Sequence, residues 1–315
     1  MHRYMERAEN VARFVDVSLH LSLDRAPHSE QWGALVATTG DDLAFRERYG
    51  EPDREKVLAF LTFDKLNPSS VLSCLRQARE NARSVREVIS SEMWEQINKA
   101  YLMVSDAAHS RAVMEAPYDF YAAVKQAAHL FVGITYLTMT HNEAWHFGRL
   151  GRLLERADKT SRILDVKYFI LLPAVSDIGT TYDETQWAAL LKSASALEMY
   201  RKRHGHINPV NVVDFLLLER KFPRSILYCL TKAERSLHAI TGAQEGAPQS
   251  AAERELGRLH AQFGYAVTRE IIERGLHEYL DDFQGKLNTV GDAIFDTFFA
   301  LAPLEPPISQ SQVQE

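Results

Sequence analysis

Two segments that lie half a chain apart share a pattern of arginine, glutamate and aspartate residues. Residues 3–17, RYMERAENVARFVDV, match residues 152–166, RLLERADKTSRILDV, at seven of fifteen positions. Five of the matches are charged: Arg3/Arg152, Glu6/Glu155, Arg7/Arg156, Arg13/Arg162 and Asp16/Asp165. A guanidinium group is a planar fork of donors that fits either a carboxylate or a phosphate. These residues can therefore hold one another in ion pairs or bind an anionic ligand.

On a helix, the charged residues of each segment form one stripe. The first stripe is spaced i, i+3, i+4 and i+7 and consists of Arg3, Glu6, Arg7 and Asn10. If the two stripes face each other, Glu6 meets Arg156 and Glu155 meets Arg7. Two interpretations stay open: a site for a carboxylate or phosphate, or a buried ion-pair cluster in which losing one partner costs about 3 to 5 kcal/mol. The candidate residues are Arg3, Glu6, Arg7, Arg13, Arg152, Glu155, Arg156 and Arg162.

A second charged run, ARENARSVRE, occupies residues 78–87. Three of its arginines share one helical stripe, and acidic and amide side chains precede the run. The candidate residues here are Asp64, Asn67, Arg79, Glu80, Asn81, Arg83 and Arg86. The run can bind an anion or acidic peptide, or it can be a solvated helix face with i to i+4 ion pairs.

Glu143 and His146 have the Glu-x-x-His spacing of carboxylate-bridged metal centres, and His141 lies nearby. Such a centre needs a second Glu-x-x-His and two further acids, and the remaining histidines offer no second Glu-x-x-His. We therefore predict no metal and no cofactor, with a metalloprotein at Glu143 and His146 as the alternative. Cys74 and Cys229 stand among aliphatic residues and are interpreted as core side chains.

The repeat continues beyond the charged segments, first at an offset of 149 and then of 155. Residues 31–35, QWGAL, match residues 186–190, QWAAL, and residues 60–75 match residues 215–230, so that the two cysteines are equivalent. Six extra residues between positions 166 and 186 predict a longer loop near residues 173–183. We therefore predict a first repeat over residues 1–148, a second over 149–302 packed with it into one body, and a disordered tail over 303–315.

Composition narrows the functional class. The chain has 315 residues, of which 46% are hydrophobic and 25% are charged, so a sizeable core is expected. A formal net charge of -6 argues against a nucleic-acid-binding surface. The apolar stretches are too short to span a bilayer, and with two cysteines and no signal-like start we expect a cytoplasmic protein.

Helical periodicity prevails throughout, which predicts an all-α bundle of about ten helices with pseudo-twofold symmetry and no sheet. Glycine usually follows a helix end, so Gly50 and Gly205 should end matching helices. We interpret Asn67 as the N-cap of the next helix, with Pro68 at its first position. The predicted ranges are 3–23, 31–49, 69–89, 92–109, 118–138, 142–169, 184–203, 210–218, 224–240, 251–280 with a break near 275, and 284–301.

Taken together, these motifs resemble the bacterial alpha-E proteins, an all-helical group with a Glu-Arg signature. The match rests on RYMERAEN at residues 3–10, the pattern from Phe60 through Asp64 to NPSS at 67–70, the run at 78–87, Trp94 with Asn98, and GRLLERAD at 151–158. The resemblance assigns the signature to Glu6, Arg7, Glu155 and Arg156. This chain begins almost at the motif, which suggests a short first helix or a misassigned start.

The resemblance implies a role as an accessory partner of an ATP-grasp ligase and a transglutaminase-like protein in a system that forms or modifies peptides. Ligase chemistry would require a nucleotide site, and no glycine-rich phosphate loop is present in the sequence. We therefore expect a docking surface, or a site that holds a peptide or small anion while a partner acts. The alternative is a helical-bundle enzyme or metalloprotein with a Glu/His site.

Overall fold

The computed structural model describes residues 1–24, 29–110, 113, 116–169, 181–244 and 246–300. These residues form fifteen helices and no strand, which confirms the all-α prediction. In chain order, α1 to α15 are His2–Asp24, Ser29–Thr39, Asp42–Tyr49, Arg54–Thr62, Val71–Arg83, Ser91–Ala107, Pro117–Thr138, Glu143–Phe169, Thr181–Ser193, Leu197–His204, Pro209–Leu218, Ile226–Thr241, Ala251–Gly264, Thr268–Arg274 and Leu276–Phe298. The first helix has 23 residues and is not short.

The number of helices exceeds the predicted number of about ten because several of the long predicted helices are divided. The range 31–49 breaks at Gly40, where φ is +82°, and the range 184–203 breaks at Ser195, where φ is +52°. A left-handed residue cannot continue a right-handed helix. The two breaks are 155 residues apart, which is the repeat offset. The range 251–280 breaks near 275 as predicted and also after Gly264. The predicted separation between 280 and 284 is wrong, because α15 runs through it, and α4 was not predicted.

The start of α5 corrects one sequence-based assignment. Its N-cap is Ser70, whose side chain accepts a hydrogen bond from the backbone N–H of Ser73. Asn67 instead holds the preceding turn: its Nδ2 donates to the carbonyl of Phe60 at 3.2 Å, and its Oδ1 accepts from the Ser69 N–H at 2.8 Å. Because the amide is engaged on both sides within the buried turn, Asn67 is a structural residue three positions before the cap.

The long helices pack in two groups, one around α1 and the other around α8, and the groups meet where α1 contacts α8. Helix α1 packs against α5, α7, α8 and α9, whereas α8 packs against α12, α15, α1 and α2. One hydrophobic cluster runs through both groups. This reciprocal packing is the arrangement that two repeats would produce, while the pseudo-twofold symmetry and the domain limits at 148 and 149 stay predictions.

Helices α1 and α8 lie side by side and run in the same direction. Two glycines allow the close approach: an added Cβ would stand 2.5 Å from His2 Nε2 at Gly148 and 3.0 Å from Arg3 Cγ at Gly151. Farther along, Arg7 of α1 meets Glu155 of α8. The contacts therefore advance in the same direction along both helices, and this register places the charged stripes face to face.

We expect Gly40→Ala to lower the free energy of unfolding by about 1 to 2 kcal/mol, because alanine is strained at a positive φ. The added Cβ would also lie 2.9 Å from a terminal nitrogen of Arg162. Urea denaturation measures the change. Gly133→Ala is the matched control, since it lies within α7 with nothing near its Cβ position. Equal effects of the two substitutions would contradict the role assigned to the left-handed turn.

The predicted loop near residues 173–183 falls mostly, and the predicted tail at 303–315 entirely, outside the described residues. No helix in the described part of the chain is both long enough and apolar enough to cross a membrane.

Candidate functional site

Two crossed ion pairs join α1 to α8. Arg156 donates two hydrogen bonds to Glu6: its Nε lies 2.7 Å from Oε1, and a terminal guanidinium nitrogen lies 2.8 Å from Oε2. Arg7 grips Glu155 in the same way, at 2.6 and 2.9 Å. Each pair is bidentate, which is the strongest geometry for these groups. This is the pairing that the facing stripes predict.

The crossed pairs are removed from solvent and stay charged. The side chains of Glu6 and Glu155 are 4% and 1% exposed. Burial alone would raise the pKa of Glu6, but the charge of Arg156 and its hydrogen bonds outweigh burial and hold that pKa below its usual value. Burial likewise opposes the charge on Arg156, yet Glu6 raises the pKa of that guanidinium. Both charges are therefore held in the folded protein.

A further arginine, which the sequence analysis did not single out, completes the cluster around Glu6. Arg224, two residues before α12, contacts Glu9 at 2.7 Å, Asn10 at 2.8 Å and Glu6 at 3.5 Å. Identity between the repeats does not mark Arg224 or Glu9, because Arg224 corresponds to Ser69 and Glu9 corresponds to Asp158, which is also acidic but is not the same residue. The sequence did contain one indication of Arg224: the second repeat has a charged residue in FPRS at 222–225, where the first repeat has NPSS at 67–70.

Arg13 and Arg162 bind acids on their own helices instead of crossing the interface. Arg13 pairs with Glu9 one turn earlier, and Arg162 pairs with Asp158 at 3.0 Å. Lys159 also contacts Asp158, at 3.2 Å. These residues therefore extend the charged layer along each helix, around the crossed pairs.

Arg3 and Arg152 occupy matching positions but different environments. Arg3 is 60% exposed and contacts Glu155 at 3.3 Å. Arg152 has a buried Nε without a hydrogen-bond partner among the described residues. Burial, reinforced by the nearby charge of Arg156, lowers the pKa of Arg152 to about 10. Arg152 Nε shares this state with Arg13 Nε, the other arginine Nε of the charged layer that is buried without a hydrogen-bond partner among the described residues.

A family model described as a predicted alpha-helical domain with a conserved ER motif matches residues 1–299. The chain belongs to the Alpha-E family. The resemblance drawn from the motifs is thereby confirmed, and the two Glu-Arg dipeptides of this Alpha-E chain are the residues that form the crossed pairs.

Relatives of this Alpha-E chain include one uncharacterized protein of Mycobacterium bovis and two of Mycobacterium tuberculosis strains. Each is 24% identical over 325 residues, which covers 96% of this chain and 36% of the relative. The chain therefore spans about a third of the length of these relatives. No solved structure matches it.

The second predicted cluster of the Alpha-E chain is two separate groups at opposite ends of α5. At one end, Asp64 accepts from Arg48 at 2.6 Å and from the Tyr49 hydroxyl at 3.3 Å, close to the turn held by Asn67. A 13-residue helix extends for about 20 Å. The other candidates lie toward its far end, so the structure does not assemble them into one site.

At the far end of α5, the arginines contact α6. Arg79 donates to Asn98 at 2.6 Å and lies over the ring of Tyr101 at 5.2 Å. Arg86 stacks over Trp94 at 4.5 Å. The remaining candidates make contacts along the helix: Glu80 pairs with Arg79 and Arg83, and Asn81 accepts from Gln77. This group fastens α5 to α6 and leaves Arg83, which is 72% exposed, on the surface.

The residues of the metalloprotein alternative do not form a ligand set. In the described ranges, no three His, Cys, Asp or Glu side chains stand close enough to hold a metal ion. His146 Nδ1 is buried without a partner there, and burial lowers the pKa of His146. Burial also raises the thiol pKa of both Cys74 and Cys229 to about 12. Neither cysteine is a thiolate at neutral pH.

An open cleft of about 620 Å³ lies against α12 and α13. Its lining includes the exposed arginines Arg220, Arg254 and Arg258, with Tyr265 at the edge, 89% exposed. The acidic side chains of the cleft are engaged: Glu234 pairs with His260 at 2.6 Å, and Glu253 caps α13. Three arginines face two glutamates in the lining, although Arg258 also pairs with Glu255 at 3.2 Å and Arg220 donates to the carbonyl of Gly264 at 3.1 Å.

His260 also contacts the hydroxyl of Thr231, at 2.9 Å from its Nε2. A hydroxyl, an imidazole and a carboxylate in this order are used in nucleophilic catalysis. Here, however, Thr231 does not line the cleft and its hydroxyl donates to the carbonyl of Leu227 at 2.8 Å. Arg79, at the position matching Glu234, likewise reaches the following helix, so we assign the Thr231 group to helix packing.

Proposed function

We propose that this Alpha-E chain is a non-catalytic accessory module that holds an acidic peptide segment for a partner of the ATP-grasp ligase or transglutaminase-like class. The non-catalytic part of this proposal rests on one observation, namely that the glutamates and arginines of the signature are engaged with one another. Glu6 and Glu155 each engage both carboxylate oxygens with an arginine of the other helix. Both carboxylates are buried and paired, so a substrate does not reach them, and the lowered pKa of Glu6 makes it a weaker general base.

The length of the relatives supports a role as a module. In each of them the matching region is 36% of a longer chain. A region that occurs as one part of longer proteins fits a module that serves a partner activity. The nature of the partner comes from the resemblance to the alpha-E group.

The cleft against α12 and α13 supports peptide binding. Its volume of about 620 Å³ lies within the range of about 300 to 1,000 Å³ that ligand sites occupy. Arginines recognise carboxylates in a bidentate manner, and the exposed ring of Tyr265 offers a face for the peptide backbone or an apolar side chain. An acidic peptide matches both features, so we place the peptide here and not in the crossed pairs.

We expect the double substitution Arg254→Glu/Arg258→Glu to weaken binding of a fluorescein-labelled tetraglutamate peptide at least tenfold, because two attractive charges become repulsive. Fluorescence anisotropy measures the affinity. Arg46→Glu in α3 is the matched control, since it reverses a half-exposed charge outside the cleft. Arg83→Glu tests the charged end of α5 in the same assay.

The partner is tested separately by co-expressing the tagged chain with the ATP-grasp ligase and transglutaminase-like protein of the same genome. Recovery of either partner with the wild type supports the accessory role. If the peptide binds but neither partner is recovered, the proposed partner is refuted and the proposed peptide site in the cleft is not. A peptide affinity that is unchanged in the double variant, or lost equally in Arg46→Glu, would refute the cleft.

A further inference from the structure

The charged layer between α1 and α8 is unequal at its two ends. At one end Arg3 contacts Glu155, and the residue that would correspond to Arg224 is Ser69. At the other end Arg224 approaches Glu6 to 3.5 Å, beside the bidentate contact of Arg156. Both oxygens of Glu6 are thus engaged by other arginines, and Arg152 Nε has no hydrogen-bond partner among the described residues.

Arg152, whose Nε has no hydrogen-bond partner among the described residues, lines a small cavity. The cavity has a volume of about 20 Å³ and is lined by Arg152, Arg156, Arg224, Glu6, Glu9 and His129, among others. A single water-sized species needs about 10 to 15 Å³ by the same measure. The space is therefore sufficient for one small ion or one water molecule.

The charges around this cavity do not cancel. Three arginines face two glutamates in the lining, which leaves one positive charge (3 − 2 = 1). His2 also lines the cavity and adds no charge, because burial lowers its pKa to about 3. Arg13 pairs with Glu9 from outside the lining and adds a second positive charge to the cluster. Buried charges require a partner of opposite sign.

We propose that this cavity binds one small monatomic anion of the size of chloride, held by Arg152 Nε and the surrounding guanidinium groups. The two glutamates do not repel it strongly because each is turned toward its own arginines. Glu6 faces Arg156, and Glu9 contacts Arg224 at 2.7 Å together with Arg13. The anion balances the positive charge of Arg152, whose Nε has no hydrogen-bond partner among the described residues.

Thermal unfolding in sodium chloride and in sodium gluconate at equal ionic strength tests the site. Gluconate, a six-carbon anion, is too large for the cavity. We expect chloride to raise the Tm of the wild type by about 3 °C or more over gluconate, saturably, since a ligand that binds only the folded state stabilises it.

Arg152→Met should abolish the chloride-specific rise, whereas Arg3→Met, which removes the exposed arginine at the matching position, should keep it. Bromide soaked into crystals of the wild type gives a second readout that needs no variant, namely an anomalous peak next to Arg152 Nε. Three results would each overturn the proposal. The first is the absence of a chloride-specific rise in the wild type. The second is an equal rise in Arg152→Met, and the third is a soaked crystal without the bromide peak; these two would indicate a chloride site elsewhere or a water molecule in the cavity.

Discussion

Replacing Glu155 with glutamine is expected to lower the free energy of unfolding by about 3 to 5 kcal/mol, which is the cost of orphaning one partner of a buried ion pair. The neutral amide cannot balance the charge of Arg7, which now contacts Glu155 through two nitrogens. Burial disfavours the Arg7 guanidinium, and the hydrogen bonds to Glu155 are what raise its pKa. Urea denaturation followed by circular dichroism measures the loss.

Glu143→Gln is the matched control, because Glu143 is an exposed glutamate on the same helix. It should change the unfolding free energy by less than about 0.5 kcal/mol. The double variant Arg7→Met/Glu155→Gln should lose less than the sum of the single variants, since it leaves no orphaned charge. Strict additivity, or a loss no larger than that of the control, would argue against a structural role for the pair.

Acid is expected to destabilise the protein steeply below about pH 5. Burial alone would raise the carboxyl pKa values of Glu6, Glu9 and Asp158, but their cationic partners dominate, and all three values lie below normal in the folded state. A carboxyl whose pKa falls on folding contributes stability above its unfolded pKa. That contribution is lost as the pH falls through the folded pKa, and a tenfold increase in the acid dissociation constant on folding corresponds to about 1.4 kcal/mol.

Two histidines determine the behaviour between neutral pH and pH 5. Burial lowers the pKa of His2, so its contribution is lost as the pH falls below the ordinary histidine value of 6.5. The hydrogen bond to Asp165 raises the pKa of His277, so its contribution is present below 6.5 and is lost as the pH rises through the folded value. The two dependences lie on opposite sides of pH 6.5, so His277 does not offset the loss at His2, and a gradual decline in stability is expected to begin between pH 6.5 and 5.

Urea denaturation at pH 7.5, 5.5, 4 and 3 gives the profile. Glu9→Gln should be less stable at pH 7.5 and should show a shallower decline below pH 5, because one of the titrating acids is gone. Glu143→Gln should keep the slope of the wild type. A wild-type stability that is constant from pH 5 to pH 3 would contradict the assignment of these carboxylates as buried and paired.

If both results are obtained, the Glu-Arg signature has a structural role in joining the two groups of helices. Each crossed pair connects α1 with α8, the two helices at which the groups meet. This interface then also holds in place the surfaces around it, including the cleft that we propose as the peptide site.

Much of this arrangement could be predicted from the residues alone. Helical periodicity identified an all-α chain because apolar spacing is a local property of each segment. The repeated stripes also predicted which acid meets which arginine, since Glu6, Arg7, Glu155 and Arg156 can pair across two matching helices in few ways. The recurrence of left-handed residues at Gly40 and Ser195 was not anticipated, because serine gives little sign of that conformation.

Other features depended on the packing of segments that are distant in the sequence. Arg224 reaches Glu9 from 215 residues away, and by occupying this cluster it leaves the buried Arg152 Nε without a partner among the described residues. Asp64 and Arg79 share one charged-looking stretch but lie toward opposite ends of α5. The sequence thus determined the helices, the charged stripes and the crossed pairing, because these follow from residue type and local spacing. Only the tertiary structure decided which charges are satisfied, which donor is left over and where a cleft opens, because these depend on distances between helices that no local pattern encodes.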